Sequence, residues 1–122
     1  VSFGSDLRKI AVQMGERVDT VQRAITIETF NSVIDNTRVD TGRARGNWQT
    51  TSATPATQAT ENTDKTGAET KAKVVAAVRP RSLMIISNNL PYIVALEELD
   101  AMVGKTIARI GRIIRERAAG DR

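Results

Sequence analysis

The first third of the chain places the strongest constraint on the fold. From Asp6 to about Asn36, apolar residues recur at helical spacing. Leu7, Ala11, Met14, Val18, Val21 and Ile25 alternate by four and three, which is an a/d-like seam. Ile10, Ala24, Ile27, Phe30 and Ile34 widen the stripe or carry it onto a neighbouring face. Ser5 or Asp6 suits the N-cap, and Asn36 suits a left-handed C-cap. A helix over residues 6–36 would be ~45 Å long at 1.5 Å per residue, longer than a core of this size can cover. Gly15 is its weak point, costing roughly 1 kcal/mol relative to Ala in a helix interior. Two arrangements answer the excess length: a kink near Gly15, or packing of the first half on another chain. An ordinary amphipathic core helix with a frayed start fits the same stripe.

With 122 residues the chain makes one domain, residues 1–122, with a modest core. Aromatic residues are 3% of the total, so aliphatic side chains on helices must supply most of the buried area. Such a core would gain from further burial in an oligomer. There are no cysteines and no histidines. Their absence removes disulfides, zinc-thiolate sites, and serine–histidine or cysteine–histidine catalysis within one chain. The net charge of +4 is too small to demand a nucleic-acid partner. No apolar run approaches the ~20 residues that cross a bilayer, and the start of the chain lacks a signal-peptide pattern. The chain reads as soluble, made in the cytoplasm, with no membrane partner.

Beyond the helix comes Val39-Asp40-Thr41-Gly42-Arg43-Ala44-Arg45-Gly46-Asn47-Trp48-Gln49, which carries the only tryptophan. Asp40-Thr41-Gly42 is turn chemistry: Asp can bond the backbone two residues on, and Gly tolerates positive φ. Gly46 lets the backbone pass close to a neighbour. Trp48 then reads as a core anchor, and Arg43 and Arg45 beside it as candidates for an inter-subunit or ligand contact. Residues 45–54 suit a strand. Residues 55–67 read as a long Thr-rich loop, most mobile around 61–67, and more simply flexible than functional. A short helix is expected over 68–78, stopped by Pro80, and a buried strand over 82–87 around Leu83-Met84-Ile85-Ile86. Asn88-Asn89 is a turn, and Pro91 opens a helical turn through Tyr92, Val94, Leu96 and Glu97. A last helix spans 100–119 with Val103, Ile107, Ile110 and Ile114 as its stripe. The fold class is α+β: long N- and C-terminal helices on a small antiparallel sheet.

Few residues suggest chemistry. Glu97, Glu98 and Asp100 form the one acidic cluster, but consecutive helical positions do not converge, and no loop of oxygen ligands accompanies them. No catalytic set, metal site or cofactor site is expected. Glu16 with Arg17 and Asp19 with Arg23 read as solvated helix pairs. Gly42-Arg43-Ala44-Arg45-Gly46 lacks the Lys-Ser/Thr and following helix of a phosphate-binding loop. Lys105, Arg109, Arg112, Arg115 and Arg117 make the last helix basic; they either track phosphates or form its wet side.

Val39-Asp40-Thr41-Gly42-Arg43 followed by Gly46-Asn47-Trp48 resembles a signature of the neck and tail-completion proteins of long-tailed double-stranded DNA bacteriophages. Ile86-Ser87-Asn88-Asn89-Leu90-Pro91-Tyr92, followed by Leu96-Glu97, is similar to a second stretch of that family. The resemblance implies a non-enzymatic virion protein at the head–tail junction, forming a homo-oligomeric ring, hexameric by the family's habit. It implies contacts with the head-closure or connector protein and the tail tube protein, around DNA that passes without sequence-specific recognition. It also implies that Asp40 and Gly42 set the turn, that Trp48 packs between sheet and helices, and that Arg43 or Arg45 bridges to a carboxylate such as Glu97, within or between subunits. The chain departs from the family after Glu97, where Glu98-Leu99-Asp100-Ala101 leads almost directly to Met102-Val103. The alternative is a basic DNA-binding protein acting through its last helix.

Overall fold

The long helical pattern breaks at Gly15, which takes φ +67°. In the computed structural model, which describes residues 3–15 and 17–120, helix α1 spans Phe3–Met14 and α2 spans Val18–Asp35. A left-handed residue cannot continue a right-handed helix, and glycine adopts that conformation without a Cβ clash. The kink is therefore the arrangement taken within the chain. Because α1 starts at Phe3, Ser5 and Asp6 lie inside it instead of capping it. Asn36 ends α2 in the right-handed region, φ −80° and ψ −3°, correcting the expected left-handed cap. Its amide instead reaches the hydroxyls of Ser32 and Thr106 at 3.4 and 3.3 Å.

The remaining elements are α3 (Arg43–Gly46), β1 (Gln49–Ser52), α4 (Ala68–Ala77), β2 (Met84–Ser87), α5 (Ile93–Asp100) and α6 (Met102–Gly120). The class is α+β, with long helices at both ends. The strand expected over 45–54 shrinks to four residues, because Gly46 N–H donates to Gly42 O at 2.9 Å and closes a helical turn. Ala53, at φ 71°, ends the strand on its other side. β1 and β2 pair antiparallel, with Gln49 opposite Ser87 and Ser52 opposite Met84. Leu83, expected in a buried strand, is exposed just outside β2; only its carbonyl joins the sheet, accepting from Ala53 N–H. α5 and α6 are separated by Ala101 alone, at φ 48°, so the last helix begins at Met102 and not at residue 100.

Two apolar clusters hold these elements together. The larger joins Phe30, Val33 and Ile34 of α2 to Trp48, to Val74 and Val78 at the end of α4, and to Met102 of α6. Met84 and Ile86 of β2, and Ile93 and Leu96 of α5, pack against it. The smaller joins Ile10 and Ala11 of α1, Val21 of α2, and Ile110 and Ile114 of α6. Leu7 and Met14, placed on the N-terminal seam above, lie outside the described side chains. The buried line of α6 runs Met102, Thr106, Ile110, Ile114, every fourth residue, while Ile107 is 65% exposed. Thr106 occupies a slot expected to be aliphatic because its hydroxyl is satisfied by Met102 O at 2.8 Å and by Ser32 Oγ at 3.1 Å.

The expected helix pair Asp19–Arg23 is also replaced. Arg23 donates to Val75 O and Val78 O at 2.8 and 3.1 Å, capping the end of α4. Asp19 pairs with Arg81 at 3.2 Å instead. Glu16 lies outside the described residues. No described helix is long and apolar enough to cross a membrane.

Candidate functional site

The Val39-to-Gln49 stretch forms the connection between α2 and β1, with the short helix α3 inside it. Gly42 sits at φ +87°, and Arg43 N–H donates to Thr41 Oγ1 at 3.2 Å. The side-chain bond of this turn thus comes from Thr41; Asp40 is exposed. Trp48 is buried in the larger cluster, and its indole N–H donates to Thr37 Oγ1 at 2.8 Å. Asn47 is fully buried. Its amide donates to Arg43 O at 2.8 Å and Asn62 O at 3.3 Å, and its Oδ1 accepts from Thr60 N–H at 2.7 Å.

Those bonds reach into the Thr-rich loop, which is docked on the turn instead of hanging free. A Cβ built on Gly42 would meet Lys65 N at 2.7 Å, and one on Gly46 would meet Asn62 O at 2.9 Å. The two glycines therefore let residues 62–65 lie directly on the turn, and Asp64 N–H donates to Gly42 O at 2.9 Å. Asp64 accepts from Gly67 N–H, Thr70 N–H and Thr70 Oγ1 at 3.0, 2.7 and 2.7 Å, capping the start of α4. Burial pushes the Asp64 carboxyl up, but these bonds and the Arg45 charge outweigh it and hold the group below its ordinary range.

The second sequence motif closes on the first. Asn88 Nδ2 donates to Ala44 O at 2.9 Å, while its Oδ1 accepts from Leu90 N–H at 3.2 Å. Asn89 Nδ2 donates to Ala56 O at 2.9 Å, tying the same turn to the loop. Leu90 is buried, and Pro91 leads into Tyr92 at the start of α5. Arg38, Asp40, Thr41, Gly42, Arg43, Ala44, Tyr92 and Leu96 line one open cleft of about 220 Å³. Two motifs some forty residues apart in sequence thus contribute to the lining of one cleft. Comparison of the chain with protein-family models, curated proteins and solved structures returns no match.

The arginines have different fates. Arg45 is engaged within the chain: its guanidinium donates to Lys65 O and Thr37 O at 2.8 Å and to Asp35 O at 3.2 Å. Arg43 has only a loose 3.8 Å ion pair with exposed Glu61; the Nε of each arginine is buried without a partner. Neither arginine meets Glu97 within the chain. The Glu97 carboxylate instead accepts from Val103 N–H and Gly104 N–H at 3.0 and 3.1 Å, at the positive end of α6. The acidic cluster is dispersed further by Asp100, which makes a two-pronged 2.7 Å pair with Arg38. That pairing lowers the Asp100 carboxyl and raises Arg38. Among the described residues, no group of three or more acidic side chains is placed to hold a metal ion.

Sequence reading missed the Arg38–Asp100 pair, the Asp64 cap and the role of Thr37. Asp64-x-x-Gly67-x-x-Thr70 carried a signal for the cap, an acidic residue ahead of a helical pattern. Arg38 and Thr37 carried none, since their partners are brought together only by tertiary packing.

Proposed function

We propose that this chain is a structural protein of the bacteriophage neck, forming a ring that joins the capsid connector to the tail around the DNA channel and completes or terminates the tail. The observation that carries the reading is the bond from Asn88 to Ala44. The two motifs behind the family resemblance act as one unit, and their polar groups are occupied in holding backbone. Asn47 binds the Arg43 turn and the loop at Thr60 and Asn62, Asn88 and Asn89 bind Ala44 and Ala56, and Glu97 caps a helix. That is the chemistry of a rigid scaffold.

A ring needs two different patches that meet head to tail. Arg43, whose partly exposed side chain lines the motif cleft, supplies a polar candidate for one such patch. Exposed Val94, Leu99 and Ile107, on α5 and α6, supply apolar ones. The ring would be homo-oligomeric, its neighbours would be the head-closure and tail tube proteins, and its place would be the virion. Electron microscopy of the purified protein, or of virions, tests this. Ring-shaped particles are expected, and monodisperse monomers at high concentration would overturn it.

A second reading rests on the exposed Lys105, Arg112, Arg115 and Arg117 of α6, which remain free to meet phosphates after Arg109 pairs with Glu28 at 2.8 Å. On that reading the protein binds duplex DNA without reading bases. A steep fall in affinity with salt would support it over the ring.

A further inference from the structure

The kink at Gly15 leaves α1 as an arm folded back on α2 and α6. Among the described side chains, no residue of α1 belongs to the larger cluster around Trp48. The arm adds Ile10 and Ala11 to the smaller cluster, and Gln13 Nε2 reaches Ala118 O at 3.4 Å. Beside it lies an open cleft of about 490 Å³ lined by Ile10, Val21, Ile25 and Ile110, with Glu28 and Arg109 also on its wall.

The connection between the arm and α2 is short. Gly15 is left-handed, and Arg17 is already the extended residue ahead of α2. Across it the sequence keeps its phase: Ala11, Met14, Val18, Val21 continue the four–three spacing without a slip. A return of both Gly15 and Arg17 to helical φ and ψ would let α1 and α2 run as a single helix with one continuous seam. Straightening would also lift Ile10 and Ala11 out of their seat and leave both surfaces bare. The surface that fits each of them is the same one on another copy. Short hinges of this kind favour the exchange of an element between identical chains.

We propose that α1 is an exchangeable arm, which in the assembled protein leaves its own α2–α6 seat and docks in that of a second copy. The contacts of Ile10, Ala11 and Gln13 are kept, now between chains, and each copy both gives and receives an arm. Passed head to tail, the exchange closes a ring; made reciprocally, it closes a dimer. The inference stands independently of the neck reading, because it concerns only how copies of this chain meet.

The chain has no cysteine, so a cross-link can be placed without background. The test uses Gln13→Cys in one population and Ala118→Cys in another, refolded together and treated with a short bis-maleimide. A covalent pair of the two variants is expected in the oligomeric fraction, while a chain carrying both substitutions links to itself in the monomeric fraction. Oligomers in which the mixed variants never link, or the absence of any linked pair at every protein concentration, would overturn the inference. Gly15→Ala provides a second arm of the test. A Cβ there meets nothing within 4 Å, so the substitution acts on φ and helix propensity alone. It should tighten self-association roughly a hundredfold in a reciprocal dimer, about tenfold for each of two hinges. Gly15→Asn, which tolerates the left-handed region, should leave it near wild type. Equal association by both variants would overturn the inference. Rings without linked pairs would remove the arm and leave the neck reading; linked dimers without rings would do the reverse.

Discussion

Trp48 Nε1 donates to Thr37 Oγ1 at 2.8 Å, and the same hydroxyl donates to Val33 O at 2.8 Å. The threonine just past the end of α2 therefore fixes the ring that anchors β1. Both groups are buried, so neither bond can be replaced by water. Thr37→Val keeps the shape and removes the acceptor. It should cost about 1–3 kcal/mol, the usual penalty for a stranded buried donor. Urea unfolding followed by Trp48 fluorescence measures it, and a midpoint within error of wild type would show that the bond carries no weight.

Asn47 should matter more to the loop than to the core. Its side chain binds Arg43, Thr60 and Asn62, and it has no exposed surface. Asn47→Ala should destabilise the fold by about 2–3 kcal/mol, since several buried partners lose a bond at once. It should also speed hydrogen exchange at residues 60–66 well before α2 is affected. Uniform acceleration across the chain would show that loop and core unfold as one unit.

Glycine placement gives a graded expectation. Gly42 combines φ +87° with a 2.7 Å approach of the Lys65 backbone, whereas the 2.9 Å contact at Gly46 involves a residue with ordinary φ. Gly42→Ala adds a left-handed penalty of about 1–2 kcal/mol to its clash, so it should lower the melting temperature more than Gly46→Ala. The reverse order would mean that loop 62–65 yields more easily over Gly42 than its contacts imply.

Acid should loosen the structure through two carboxyls. Asp64 and Asp100 are both held below the ordinary carboxylate value of about 3.9. The folded chain therefore binds fewer protons at these positions than the unfolded chain. Their stabilising contribution is present above that value and is lost as pH falls through the lower folded values. Unfolding midpoints should thus decline below about pH 4. Asp64→Asn should flatten part of that decline while lowering stability at pH 7. An unchanged acid slope in that variant would exclude Asp64 as a contributor.

Much of the α-helical framework was legible in the sequence because periodicity survives packing. The 68–78 helix agrees with α4, and the weak point at Gly15 is where the long helix turns. The loop was not legible. Its Thr- and Asn-rich composition offers nothing to bury, yet Asn47, Asp64, Gly42 and Gly46 tie it down through backbone groups that no composition reveals. The same limit hid Thr106, a polar residue in an apolar slot, and placed Ile107 wrongly inside. Within the motifs, Trp48 and Gly46 disclosed their roles by residue type alone. Arg45 did not, because a surface arginine reads the same whether its partner is a carbonyl of its own chain or a neighbour.

That difference between the two motif arginines is itself testable. Arg45 joins Asp35, Thr37 and Lys65 within one chain, so Arg45→Ala should destabilise the isolated protein by about 2 kcal/mol, as loss of charged hydrogen bonds does. Arg43 makes only the loose contact to Glu61, an exposed pair of little worth. Arg43→Ala should therefore leave thermal unfolding within about 0.5 kcal/mol of wild type. If the cleft it lines meets a neighbouring copy, the same substitution should weaken self-association in sedimentation, and Arg43→Glu should weaken it further. Loss of stability in the Arg43 variants would make that residue a structural one. Unchanged association in both would remove it from any interface between copies.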